Sequence, residues 1–379
     1  MFICRDQFVD NIDGLIKHLK FEEQKEIFLK DIVHQCSPEN ELQNTLVQHF
    51  ESVIKPSHLS SKLFTYCNSI VSLYGFLENF IEKIAEEFIT NINNASIPVN
   101  SLPKSIKKYH LELSMQLLTK VRRDRTLSHS EKSDAEKKVI KNLNSFLQED
   151  ANYELNSKAF TIHTANFRFK LIESFFEQLG IKNIANRALK TDSVKNNLAT
   201  RQQQDSLDDP KTLKSWLEIE LDDLAQLRNE IAHGGFDRNI ESFDLIIERA
   251  EFIRSFGTAL ADILNYTYKE VIFHSAGRHI LGNAIRTFPA QNCFGFEGKS
   301  IDENSEPFTL RVGDLIFAHN NNSENKVLSG EISSLRLNKS DVLEINIPND
   351  NEFSIKVNFE VTRGMTNREL SIPKAIIDP

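Results

Sequence analysis

The sequence predicts an α+β, multidomain chain: a mainly α-helical bundle followed by a small C-terminal all-β, barrel-like domain. Two observations carry this reading. Up to about residue 273, apolar residues recur every three or four positions, the period of an amphipathic helix. After Phe288 they alternate in short runs between turn clusters, the texture of strands. A length of 379 residues leaves room for two or three domains.

Residues 1–59 read as an N-terminal helical extension packing on the bundle. Phe8, Ile12, Leu15, Ile16, Leu19, Ile27, Phe28 and Ile32 hold helical register there. CSPEN at 36–40 reads as a stop and a restart, with Pro38 at a favoured first-turn position. The helical domain proper spans 60–274. Its longest helix runs from Thr65 to Asn91, with a stripe of Ile70, Leu73, Tyr74, Leu77, Phe80, Ile81, Ile84 and Phe88. A stripe that wide belongs to a central helix. NNASIPVNSLPKS at 93–105 is a loop by its Asn, Ser and Pro content. Further helices follow at about 105–122, 133–148 and 165–178, with the charged turn RRDRTLSHSEKSD at 122–134. The stretch 191–210 has almost no large apolar residues and reads as a polar loop. The helix signal returns from Lys211 to about Ala232, and again from Ser242 to about Phe273.

The β domain is expected over 285–379, with the boundary near 275–290. Its strands are Thr309–Val312, Leu315–Ala318, Glu331–Leu337, Val342–Ile347, Phe353–Val361 and Leu370–Ile372. VGD, HNNNSEN, LNKSD, PNDNE and RGMTNRE punctuate them.

The formal net charge is −9. Such a balance argues against broad electrostatic adhesion to nucleic acid or anionic membrane, so an RNA-acting role must rest on a local site. Cys4, Cys36, Cys67 and Cys293 stand alone, without a CxxC pair, so neither a zinc cage nor a disulfide framework is indicated. No apolar run approaches the roughly 20 residues that a membrane span needs. The N-terminus is too acidic for a signal peptide. A cytoplasmic protein without cofactor or metal is expected. His274 and His279, in FHSAGRH, lack metal-ligand spacing.

One segment carries chemistry: SWLEIELDDLAQLRNEIAHGG. Leu217, Leu221, Leu224, position 228 and Ile231 step by 4, 3, 4 and 3, the core-facing seam of a helix. Position 228 is Arg. A guanidinium on an apolar seam is costly unless it is paired or faces a cavity, so it marks either a buried salt bridge or a site. Asn229 and His233 are four apart and share a face. Gly234 and Gly235 end the helix, leaving His233 in the last turn, where a helix C-terminus favours a cationic group. An Arg, an amide and a His at one helix end suit phosphodiester cleavage without a metal: a His to move a proton, an Arg to take up charge on phosphate.

RNEIAHGG resembles the signature of HEPN domains, the Arg–polar–x3–His motif of many metal-independent endoribonucleases. The wider order is similar too: an early long helix bearing SLYGFLENFIEKI, a helix pair, the motif helix and a closing helix. The resemblance covers about 60–272. It implies Arg228, His233 and Asn229 as catalytic residues, with Glu78 as a supporting acidic position facing the motif helix. It implies cleavage of single-stranded or looped RNA by 2′-hydroxyl attack, a homodimer joined through the helical domain, and a toxin or phage-defence role. The alternative is a non-catalytic HEPN interaction or regulatory subunit that binds a partner protein or a nucleotide. Gly235 stands where some HEPN toxins carry a Tyr. In the β domain, FTLRVGDLIFA and GEISSLRLNKSDV loosely resemble the small barrel that follows the GTPase domain of translation factors, which implies docking to RNA or a regulatory partner protein.

Overall fold

The computed structural model describes residues 2–35, 45, 47–49, 52, 55–202, 209–235, 240–275, 277–297, 307–319 and 327–374. The helices are α1 (Ile3–Gln35), α2 (Lys55–Asn94), α3 (Lys104–Arg123), α4 (His129–Leu147), α5 (Phe169–Glu177), α6 (Ile184–Ala188), α7 (Asp192–Arg201), α8 (Pro210–Ala232) and α9 (Phe243–Ser275). The strands are β1 (Arg278–Asn283), β2 (Arg286–Phe288), β3 (Cys293–Phe296), β4 (Phe308–Arg311), β5 (Leu315–His319), β6 (Leu328–Leu337), β7 (Ser340–Val342), β8 (Glu344–Ile347), β9 (Phe353–Val357) and β10 (Glu369–Pro373). The fold class is α+β, helical first and then antiparallel β. Two compact units emerge: Met1–Ile89, Lys108–Lys132 and Asn156–Asn265 form one, and Thr90–Lys107, Ser133–Leu155 and Tyr266–Pro379 the other.

The helical unit is organised on α2. Every residue of its expected stripe, from Ile70 to Phe88, is buried. α1 lies against it: Phe8 stacks on Phe80 with ring centroids 4.2 Å apart, and Glu87 accepts from the Cys4 N–H at 3.1 Å. The α1 periodicity holds through Leu19, but Ile27 and Phe28 are exposed. CSPEN lies outside the described residues. From α8, Leu213, Leu217, Leu221 and Leu224 enter the core, and from α9 Ile246, Phe252, Ile253, Phe256 and Leu260.

The expected polar loop at 191–210 is corrected: Asp192–Arg201 is a helix. Local pattern misses it because only Val194 and Leu198 are buried anchors. Charge supplies the rest. Arg201 meets Glu220 of α8 through two hydrogen bonds of 3.2 Å and donates to the Leu245 carbonyl at 2.8 Å. Arg249 bonds Glu241 at 3.0 Å and lies 3.9 Å from Glu220. Arg201, Glu220 and Arg249 are almost wholly buried, and such a network defines a helix that no window of sequence reveals.

In the second unit the main sheet runs β1-β10-β5-β6-β9-β3-β2, with β7 on β6, and β4 pairs with β8 separately. All pairings are antiparallel. β6 bridges the two halves. Its first residues pair with β5 and its later ones with β9, and a register shift between Ile332 and Ser334 bends it. This curls the sheet around Leu281, Phe294, Ile316, Ile332, Leu335, Ile355 and Leu370. Asn338 and Lys339, both at positive φ, make the two-residue turn into β7. The expected start at 285 is corrected, because β1 begins at Arg278 and pairs with β10. β1 to β3 escape a reading by pattern because they are short and interrupted by Gly, Asn and Pro; their partners make them strands. Helical segments complete this unit. The Asn93 side chain donates to and accepts from the Leu155 backbone at 3.0 and 2.9 Å, and Phe273 packs on Phe317 at 5.1 Å.

Gly257 of α9 is where the α1 contact is tightest. A Cβ there would lie 2.3 Å from the Phe8 ring, and the Phe80 stack leaves that ring little freedom. Gly257→Ala should therefore destabilise by about 1–3 kcal/mol, despite the better helix propensity of Ala. Chemical denaturation of the two proteins checks it; an equally or more stable Ala variant would show that α1 is loosely held.

Candidate active site

The α8 helix is set at both ends. At its start the Asp209 carboxylate accepts from the Lys211 and Thr212 backbone N–H groups, and Pro210 occupies the first turn. At its end Gly234 adopts a left-handed φ of 70°. The Gly235 N–H then reaches the Glu230 carbonyl at 2.9 Å, and the Gly234 N–H reaches Ile231 at 3.2 Å. This double closure makes His233 the C-cap residue and leaves it exposed.

Arg228 is half-buried. Its guanidinium lies over the ring of Tyr74 on α2, 5.2 Å from the centroid, and donates to Asn229 Oδ1 at 3.1 Å. Among the described residues no carboxylate comes within ion-pair distance of it. The same Asn229 oxygen accepts from Asn166 Nδ2 at 2.6 Å. Two donors therefore occupy the Asn229 carbonyl, and its amide N–H groups remain to donate elsewhere.

Tyr74 is the hinge of the arrangement. Its hydroxyl donates to Glu78 at 3.1 Å and accepts from the Phe167 N–H at 2.8 Å. Burial, reinforced by the Glu78 charge, holds its acidity far below that of an ordinary phenol, so it stays neutral. The segment between the Ser157–Thr161 turn and α5 runs along α8. After Asn166, Arg168 bonds the Gln226 side chain at 3.1 Å. Earlier in the segment His163 contacts Glu82 of α2 at 2.7 Å.

The structure thus joins Arg228 to Asn229 directly. Glu78 reaches Arg228 only by way of Tyr74. Asn229 and His233 share a helix face, whereas Arg228 and His233, five residues apart, diverge by about 140° around the axis. The His233 side chain bonds none of the described residues. Tyr74 was read from the sequence only as part of the core stripe, and Glu82, His163 and Asn166 were not singled out. Glu78 and Glu82 form an i, i+4 carboxylate row that was legible, but Asn166 and His163 reach the site through tertiary folding alone. Among the described residues no three His, Cys, Asp or Glu side chains converge as metal ligands would.

The profile of the RiboL-PSP-HEPN family matches residues 21–266. The chain belongs to this family. The match takes in the whole α2–α8 contact and both ends of the Arg228–His233 segment. No curated protein and no solved structure matches the chain. Among the described residues of this HEPN protein, no helix is long and apolar enough to cross a membrane.

Two charges on α8 should respond oppositely to truncation. Glu220→Ala leaves two buried guanidinium groups, Arg201 and Arg249, with the partly exposed Glu241 alone, and should cost about 3–5 kcal/mol. Arg228→Ala abandons no carboxylate among the described residues and loses a contact with an aromatic face worth about 0.5–2 kcal/mol, offset by relief of a half-buried charge. Its melting temperature should stay within a few degrees of the parent's. Calorimetry of both variants checks this, and a collapse of Arg228→Ala on the scale of Glu220→Ala would make Arg228 a structural ion.

Proposed function

We propose that this HEPN domain is a metal-independent endoribonuclease that cleaves single-stranded or looped RNA. One observation carries the reading: Arg228 sits on an otherwise apolar seam, held by an aromatic face and an amide rather than by a carboxylate among the described residues. Its remaining N–H donors suit two oxygens of a phosphodiester. The free amide of Asn229 supplies a further donor to the same group.

In the proposed reaction the ribose 2′-hydroxyl attacks the adjacent phosphorus. The 2′-O–P bond forms and the P–O5′ bond breaks. The 2′ proton passes to a base, and the departing 5′ oxygen takes one from an acid. The products are a 2′,3′-cyclic phosphate and a 5′-hydroxyl. His233 is the proton carrier, because an imidazole ring can both take and give a proton and the C-cap leaves this one exposed. Arg228 offsets the charge that grows on the phosphate oxygens. A single His cannot be base and acid at once. A homodimer through the helical domain, bringing two α8 ends together, supplies the second and also spans the angle between Arg228 and His233 within one chain. Unstacked, flexible RNA suits the in-line geometry. We assign the protein to the toxin or phage-defence class of cytoplasmic HEPN effectors, with the β domain as the place where a regulatory partner protein docks.

The test is cleavage of a labelled RNA by the full chain, with and without EDTA. His233→Ala should lose at least about 100-fold in rate, with its melting temperature unchanged. A 2′-deoxy substitution at the cut site should block cleavage, and EDTA should not. Undiminished cleavage by His233→Ala would end the catalytic assignment. RNA or nucleotide binding without cleavage by the parent would favour the regulatory-subunit alternative.

A further inference from the structure

His163 has two hydrogen-bond partners, and both are acceptors. Nε2 faces the Glu82 carboxylate at 2.7 Å, and Nδ1 faces the Ala165 carbonyl at 2.9 Å. A neutral imidazole has one N–H and can satisfy only one of them, so both bonds together require the imidazolium. The ring is mostly shielded from solvent, at 14% exposure, and it packs on Phe167 at 4.3 Å and edge-on to Phe175 at 6.4 Å. Its neighbours three and four residues on bind the candidate active site. Asn166 holds Asn229, and the Phe167 N–H donates to Tyr74, beneath Arg228.

We infer that His163 is a positioning residue for the proposed site: as a cation it clamps the 163–168 segment to Glu82, and so keeps Asn166 on Asn229 and Tyr74 under Arg228. This rests on the reading of Arg228 and Asn229 as the phosphate-binding pair. His163 touches no reacting atom. It acts through the two bonds that fix the plane of the Asn229 amide and the seat of the guanidinium.

Among the described residues the charged groups facing the ring are both on α2: Glu82 in contact and Glu78 one turn away. The α5 side and the segment itself present Phe175 and Phe167. The Glu82 hydrogen bond raises the imidazole above its ordinary value. Burial works against this, and the Ala165 carbonyl reinforces it. The sign follows from linkage. Protonation is favoured in the folded chain, so the clamp is fully present below the unfolded value of about 6.5 and is lost as pH rises through the higher folded value. Deprotonation leaves only one of the two bonds and removes the charge that attracts the ring to Glu82, which loosens the segment, and a site whose donors drift by even 1 Å loses up to about 100-fold in rate.

The experiment follows two readouts on the full chain across pH. The first is nitrogen NMR of the His163 ring together with the side-chain amide signals of Asn166 and Asn229. The second is the rate of RNA cleavage. His163 should carry both ring protons at pH 6, the amide signals should move with its titration, and an alkaline limb of kcat should follow the same midpoint with KM little changed. Glu82→Gln keeps an acceptor but removes the charge. It should shift the ring midpoint, the amide signals and that limb together to lower pH. His163→Gln should abolish the limb and lower kcat about 10- to 100-fold, and Glu82→Gln still decides the matter if that variant folds poorly. A neutral ring at pH 6, or amide signals and a kcat limb that stay put while the Glu82→Gln midpoint moves, would overturn the inference. Coupled ring and amide titrations in a chain that cleaves no RNA at any pH would uphold the clamp and count against the ribonuclease reading instead.

Discussion

A guanidinium on the core-facing seam of a helix must be compensated by something, and how that is done at Arg228 shapes its surroundings. Taking a cation out of water costs several kcal/mol even after relaxation. The Tyr74 face returns about 0.5–2 kcal/mol, and a hydrogen bond from a charged donor about 1.5–3. These offset part of the cost without neutralising the charge. Placing the ring there requires α2 to run alongside α8, and keeping it there requires the Tyr74 hydroxyl to be bonded, which Glu78 and the Phe167 N–H accomplish. Asn229 is fixed in turn by Asn166. The 163–168 segment thus touches both supports of Arg228, while its own anchors are buried Phe167, the Arg168–Gln226 bond and the His163–Glu82 contact.

Contrast within the same helix clarifies the point. Glu220, two turns earlier on α8, also lies in the interior and also meets guanidinium groups. There Arg201 grips Glu220 through two hydrogen bonds, Arg249 pairs with Glu241, and Arg201, Glu220 and Arg249 are almost wholly buried, which is what a structural network looks like. At Arg228 the opposite sign is missing among the described residues, and the helix stops one turn later at a cap that exposes His233. The RiboL-PSP-HEPN match covers both stretches of the helix, the Glu220 network and the Arg228–His233 segment.

Much of this was legible in the sequence. The α2 stripe, the seam of α8 with its misplaced Arg, the glycine stop after His233 and the change to alternation near the C-terminus all rest on local periodicity or local backbone chemistry, which a sequence displays directly. What was not legible depends on residues distant in the chain. The α7 helix carries too little apolar character to announce itself and is held by Glu220 and Leu245. Strand β1 is defined by pairing with β10, β3 by pairing with β9, and β2 by pairing with β3. Asn166 and His163 sit in an ordinary polar stretch until folding lays it along α8. The α1 periodicity shows the helix but not which turns are covered, since Ile27 and Phe28 keep helical spacing within Ile3–Gln35 and are exposed.

The central claim is that Arg228 is held unneutralised to receive a phosphate. The most direct test is the salt dependence of binding to a 2′-O-methyl oligoribonucleotide, which cannot be cleaved by 2′-hydroxyl attack. For single strands each phosphate contact contributes about 0.7 to the slope of log affinity against log salt. The parent and Arg228→Ala should therefore differ by about that amount, the variant being the less salt-sensitive of the two. Equal slopes and equal affinities would mean that no phosphate meets Arg228, and would contradict the claim.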